Sequence, residues 1–230
     1  MTFIKPDNAP RFRRWSFAPE ADEVSLVVPD GCIDLLVFSC RNTDRTVIHV
    51  TDWDFSPRLV KVTAGTEITG YRLRPGTVLA LSEFEHEDFA ASTVESAIDG
   101  MIKQDDEISE IIDALCLPGN SISGLAKQQG VSERTLQRHF KGLSLPKPSF
   151  WRQLGRARRA VQELTCRVPI ADIALEFGYS DQAHMTRDFS RWFGRSPAQL
   201  RKNSGALIDL KQPGLGNWSQ EAVSGGTGLT

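Results

Sequence analysis

Apolar positions change their period about halfway along the chain. From residue 24 to residue 81 they fall in short β-branched and aromatic runs, at 24–28, 33–38, 46–50, 59–62 and 68–73, separated by Gly, Pro, Asp and Asn. Runs of that length and composition read as strands. Pro29-Asp30-Gly31 separates the first two runs and should turn the chain, because Pro presets φ and Gly accepts a positive φ. The run at 33–38 is therefore expected to return against 24–28. These spacings suit a small antiparallel sheet or half-barrel. From Val94 the period lengthens: Val94, Ala97, Ile98, Met101 and Ile102, then Ile108, Ile111, Ile112 and Leu115, recur at helical spacing. Two short amphipathic helices are expected, packed on the N-terminal sheet in preference to a dimer interface.

Further on, one design occurs twice: a short apolar helix, a glycine turn and a second, polar helix. The turn glycines are Gly130 and Gly178, 48 residues apart. In the first copy Val131, Leu136 and Phe140 form the apolar set, leaving Arg134, Gln137 and Arg138 outward, with Ser132 as the helix cap. In the second copy Tyr179, Met185 and Phe189 are the buried candidates. Gln182, His184 and Arg187 point outward, Ser180 caps, and Asp181 lies in the first turn. Residues 150–164 should form a helix between the copies, with Trp151, Leu154, Val161 and Leu164 inward. Arg152, Arg156, Arg158 and Arg159 on its other faces are candidate phosphate contacts. Arg to guanine and Gln to adenine are the side-chain pairings with good bidentate geometry in the major groove. Two such helices held roughly 34 Å apart would read one face of a duplex.

Charge supports that reading. The net charge of −2 hides a division: residues 118–203 hold 15 Lys and Arg against 6 Asp and Glu, whereas residues 1–117 hold 11 against 21. Only the C-terminal part suits phosphate, through counterion release, and the acidic part should face away from the duplex. The cysteines Cys32, Cys40, Cys116 and Cys166 are scattered, with no CxxC pair and no histidine at ligand spacing. They read as buried, reduced thiols, and neither a metal site nor a cofactor is expected.

The residues 131–140, and 173–189 with Phe193-Gly194-Arg195-Ser196-Pro197, resemble the DNA-binding region of the AraC/XylS family of bacterial transcription regulators. The resemblance implies a double helix-turn-helix of seven helices over residues 118–202. It places base contacts on Arg134, Gln137 and Arg138 and on Gln182, Ala183 and Arg187. Ala183 departs from the family pattern, where a polar residue is frequent; alanine can offer only a methyl contact to thymine. The connection at 142–148, with Pro146 and Pro148, also departs. Residues 28–35 and 70–76 resemble a sensor-like domain attached to such regulators. Asp30, Asp34, Arg72 and Arg74 are then candidate lining residues of an effector pocket, although turn geometry and salt bridges account for the same residues.

The expected fold class is α+β: a small β-rich N-terminal sensor-like domain over 1–91, a helical connector over 92–117, an all-α double helix-turn-helix domain over 118–203, and a disordered tail over 204–230, where Gly and Ser accumulate. The chain is expected to regulate transcription in the cytoplasm, since it has no run of about 18 apolar residues and its first residues lack the apolar stretch of a secretory signal. Expected partners are double-stranded promoter DNA, RNA polymerase, a small-molecule effector and a second copy of the chain, with no membrane. No catalytic residues are assigned, because nothing forms a triad, paired-carboxylate or phosphate-loop signature. The alternative is a DNA-binding regulator whose N-terminal domain carries a reactive cysteine, with Cys32 in the turn as the candidate. A second rival is an architectural binder that bends DNA and tolerates many sequences.

Overall fold

The computed structural model describes residues 10–40, 43–79, 94–103, 105–165 and 167–219. The N-terminal part is a four-stranded antiparallel sheet, ordered β1 (Phe12–Phe17), β6 (Thr66–Leu73), β3 (Asp34–Cys40) and β4 (Thr43–Val50). A separate antiparallel ribbon pairs β2 (Glu23–Val27) with β5 (Arg58–Val62). The sequence pattern located β2 to β6 but paired two of them wrongly. The segment after β2 does not fold back on it: Leu26 lies opposite Leu59, and β3 instead takes β4 and β6 as neighbours. Asp30 explains the departure from a hairpin, because its carboxylate accepts the Cys32 N–H at 2.9 Å while its carbonyl accepts an N–H from the far end of the chain. β1, which the pattern did not single out, forms the edge beside β6, with Trp15 opposite Gly70.

Two short strands, β7 (Val78–Leu79) and β8 (Ile102–Lys103), pair with each other, so Ile102 ends as strand and not helix. Between them lies α1 (Val94–Met101), whose Ile98 is fully buried against Leu35, Tyr71 and Leu73 of the sheet. The acidic run at 83–88 lies outside the described residues.

α2 (Asp106–Leu115), expected on the sheet, meets the turn after β6 through Ile112 beside Gly76 and through Asp113, but packs chiefly against α3 (Ile122–Gln128) and α5 (Pro148–Gln162). Its Ile108, Ile111, Ile112 and Leu115 stripe therefore belongs to the helical core, which starts before Pro118. That core centres on α5. Trp151, Leu154, Ala157, Val161 and, in a following 3-10 turn, Leu164 are all at 0% exposure. Burial of each large apolar side chain contributes about 1.5–3 kcal/mol. α4 (Glu133–Gly142), α6 (Ile170–Glu176), α7 (Gln182–Phe193) and α8 (Pro197–Arg201) surround it.

The chain then continues where disorder was expected. α9 (Ser204–Lys211) is capped by Asn203, whose side chain accepts the Ala206 N–H at 3.0 Å. Leu207, Leu210, Leu215 and Trp218 are buried. Glycines at 205, 214 and 216 give the composition of a flexible tail, but four large apolar residues, at 207, 210, 215 and 218, anchor it. The final run of Gly and Ser, from residue 220, lies outside the described residues. The two domains also meet through Trp53, which joins both cores and stacks edge-on against Trp151 with ring centroids 5.2 Å apart.

Candidate nucleic-acid interface

Each of the two copied segments is closed by the same backbone device. Gly130 has φ +67° and Gly178 φ +73°. After α3, the Val131 N–H reaches back to the Ala126 carbonyl and the Gly130 N–H to Lys127. After α6, the Tyr179 N–H reaches Ala174 and the Gly178 N–H reaches Leu175. This is a Schellman motif, which satisfies otherwise unpaired carbonyls at the helix end and requires a left-handed residue where glycine carries no penalty. It turns the chain from the first helix of each pair toward the second.

α4 starts at Ser132, whose hydroxyl accepts the Thr135 N–H at 3.1 Å. Leu136 and Phe140 are buried, while Arg134, Gln137 and Arg138 are exposed on the opposite face. Val131 leaves the expected apolar set in part, at 36% exposure. On the exposed face the polar groups brace one another: the Gln137 amide lies 3.4 Å from Glu133, and Arg138 lies 3.5 Å from the Thr135 hydroxyl.

In α7 the cap is Asp181, not Ser180. The Asp181 carboxylate accepts the His184 N–H at 2.6 Å, a bond that holds its pKa below the usual carboxylate range, with help from the Ser180 hydroxyl and Arg187. Ser180 instead lies one residue outside the helix, with its hydroxyl 3.2 Å from His184 Nδ1. His184, expected outward, is half-buried and stands edge-on to Tyr179. Gln182, Ala183 and Arg187 are exposed, and Met185 and Phe189 are buried as expected.

The arginines of α5 divide. Arg152 is exposed and donates to the Asn120 carbonyl at 3.2 Å. Arg156 is taken by the second module: it pairs with Asp188 at 2.5 Å and lies 4.0 Å over the Tyr179 ring. Burial, acting against Arg156, pushes the Tyr179 phenol pKa up. Arg158 cannot reach phosphate, since it is 2% exposed and, among the described residues, its hydrogen bonds go to the C-terminal segment. Burial lowers its pKa, partly offset by Asp30. Arg159 is half-buried. Helical position alone could not expose this division, because the partners lie 32 and 54–59 residues further along the chain.

Of the four residues proposed for an effector pocket, three bond to one another and the fourth bonds to the helical core, the salt-bridge reading of the same residues. Arg72 bridges Asp34 at 3.2 Å and Asp30 at 3.1 Å, and Trp15 donates to Asp34 at 2.9 Å. Burial disfavours the Arg72 cation, but the two carboxylates outweigh it and raise its pKa. Asp30 has a raised pKa because burial exceeds the pull of Arg72. Arg74 turns away to Asp113 on α2, at 2.9 Å. Cys32 is buried beside this network, and burial followed by the Asp30 charge pushes its thiol well above the ordinary range. Cys116 is likewise buried and pushed up to about 12. A thiol so disfavoured as thiolate is a poor nucleophile, which removes the support for a reactive-cysteine domain at Cys32.

Two helices of matched construction, each burying one face and presenting Arg and Gln on the other, define a DNA-binding double helix-turn-helix protein. A family model described as a helix-turn-helix domain matches residues 125–203. The probable transcription factor PqrA of Proteus vulgaris is 39% identical over 88 residues, 37% of this chain and 70% of PqrA. The regulatory protein SoxS of Escherichia coli is 35% identical over 82 residues, covering 35% of this chain and 77% of SoxS. Among solved structures, apo ToxT from Vibrio cholerae aligns over 85% of this chain and 98% of its own, at 9% identity and a TM-score of 0.46. The chain belongs to the AraC/XylS family of transcription regulators, and it is a DNA-binding protein of α+β fold. Among the described residues, no helix is long and apolar enough to cross a membrane.

Proposed function

We propose that α4 and α7 enter two adjacent major-groove segments on one face of a promoter duplex. Arg134, Gln137 and Arg138 read the first segment, and Gln182 and Arg187 the second, with Ala183 offering only its methyl group. Arg152 contacts phosphate. The carrying observation is the paired construction of the two modules, each with an exposed Arg and Gln set opposite a buried apolar stripe. The acidic N-terminal domain modulates this reading, through a small-molecule effector or a second copy of the chain, and the bound regulator acts on RNA polymerase in the cytoplasm. Effector binding would act by favouring one domain arrangement over another.

Dimethyl sulfate footprinting on a duplex enriched by the full chain tests the docking. Protection of guanine N7 in two clusters about 10 base pairs apart is expected. Protection confined to adenine N3, in the minor groove, would overturn it.

A further inference from the structure

The segment after α9 lies between the two domains and bonds to both. On the helical side, Arg158 of α5 donates to the carbonyls of Leu215 at 3.1 Å and Gln212 at 2.8 Å, and to the Asn217 side chain at 3.2 Å. On the sheet side, the Leu215 N–H donates to the Asp30 carbonyl at 2.8 Å, and Arg13 of β1 donates to the Trp218 carbonyl at 2.9 Å. The Trp218 indole N–H reaches the Pro10 carbonyl at 2.8 Å. A Cβ at Gly214 would stand 2.8 Å from the Arg158 guanidinium and 2.9 Å from the Asp30 carbonyl, so the three groups are packed without spare room.

Among the described residues Asp30 and Asp34 share Arg72 as their ion-pair partner, with side-chain exposures of 17% and 14%. The guanidinium of Arg158, from the helix that joins the two modules, packs across Gly214 from the Asp30 carbonyl, and its charge adds to that of Arg72 in lowering the Asp30 pKa against burial. Arg158 in turn has its hydrogen bonds completed by the C-terminal segment. A buried guanidinium persists only when its donors are satisfied, so α5 depends on the segment that receives Arg158, and that segment is tied to the sheet through the Leu215 N–H on the Asp30 carbonyl.

We propose that residues 212–218 are a latch that couples the N-terminal sheet to α5, so that a change in the sheet reaches both reading helices through Arg158. The Trp53–Trp151 contact and the Arg74–Asp113 ion pair hold the same domains together; the latch adds hydrogen bonds made by α5 itself. This inference concerns coupling between domains and does not depend on which DNA is read.

The test uses amide hydrogen exchange without DNA, comparing the full chain with a chain ending at Lys211 and with Trp218→Ala, which leaves the Arg158 bonds in place. Into each, Leu35→Ala is introduced to loosen the sheet core. In the full chain, Leu35→Ala should speed exchange in α5 by roughly fivefold or more, the lower end of ordinary coupling between sites. In the truncated chain that response should fall at least severalfold, and in Trp218→Ala it should shrink by less. An equal response of α5 in all three chains would overturn the latch, as would a full chain in which Leu35→Ala leaves α5 unchanged. Should the truncated chain fail to fold, the Trp218→Ala comparison decides alone.

Discussion

Arg156 of the linker helix donates to Asp188 of α7 at 2.5 Å, while its guanidinium plane covers Tyr179, the first buried residue after the second turn glycine. One side chain thereby fixes the second reading helix on the scaffold that carries the first. Both partners are mostly buried, with side-chain exposures of 16% and 13%.

Arg156→Ala should therefore lower stability by about 2 kcal/mol, the usual worth of a hydrogen bond to a charged group, measured by denaturant unfolding. It should leave the dependence of DNA affinity on salt unchanged. Arg152→Ala should do the reverse: little change in stability and a salt slope reduced by about 1, as expected when a single phosphate contact is lost. A reduced slope for Arg156→Ala with stability intact would return Arg156 to the phosphate-contacting set.

Base reading predicts a different signature. Gln137→Ala or Arg138→Ala should cost about 1–3 kcal/mol on the preferred duplex and relax preference within one block only. Titration of selected and random duplexes with each variant measures this. Equal losses on both duplexes would contradict base contact by α4.

The connection between the modules holds a conformational oddity. Ser144 has φ +58°, among the described residues the one non-glycine with a positive φ, and it closes α4 with the bonding pattern found at Gly130 and Gly178: the Leu145 N–H reaches Phe140 and the Ser144 N–H reaches Lys141. A side chain in that region costs roughly 1–2 kcal/mol. Ser144→Gly should raise stability by about 0.5–1 kcal/mol, net of the entropy glycine adds to the unfolded chain, whereas Gly178→Ala should lower it by about 1 kcal/mol or more. Thermal unfolding of both variants checks the two signs together.

The Asp181 cap carries a pH dependence. Its folded pKa lies below the unfolded value, so the unfolded state binds the proton more tightly and the cap's contribution is present above the unfolded carboxylate pKa. That contribution is lost as pH falls through the depressed folded value. Asp181→Ala should thus be more destabilising at pH 7 than at pH 3, by urea unfolding at both pH values. A constant difference would mean that the carboxylate charge is not what caps α7.

Cys32 and Cys116 should resist alkylation. Iodoacetamide at pH 8, followed by mass spectrometry of the cysteine peptides, should leave both unmodified in the folded chain and modify both in urea, since burial raises each thiol and blocks access. Rapid labelling of folded Cys32 would revive a thiol-based sensor.

What the sequence revealed follows from the range of the interactions involved. The reading modules were legible because their determinants are local: Leu136, Phe140, Met185 and Phe189 recur at helical spacing, Gly130 and Gly178 mark left-handed turns, and Ser132 caps the helix it precedes. The cap of α7 was misplaced by one residue, because Ser180 and Asp181 are adjacent and equally able to cap; Asp181 takes the His184 N–H while Ser180 turns to the imidazole. Strand positions were legible from composition, but pairing was not, since β2 takes a partner more than thirty residues away. The roles of Arg156 and Arg158 were invisible for the same reason: a helix face shows where an arginine points, not that Asp188 or the carbonyls of 212–217 lie there to receive it. The C-terminal segment departs from the expected disorder because its few apolar residues, Leu207, Leu210 and Leu215, join the helical core, which glycine content does not reveal.

The central claim is that two helices of one chain read two major-groove segments. Selection of bound duplexes from a randomised pool by the full chain at physiological salt tests it most directly. Two enriched blocks about 10 base pairs apart are expected, the block read by α7 carrying fewer fixed bases because Ala183 has no hydrogen-bonding group. Enrichment of a single block, with no second block about 10 base pairs away, would contradict it.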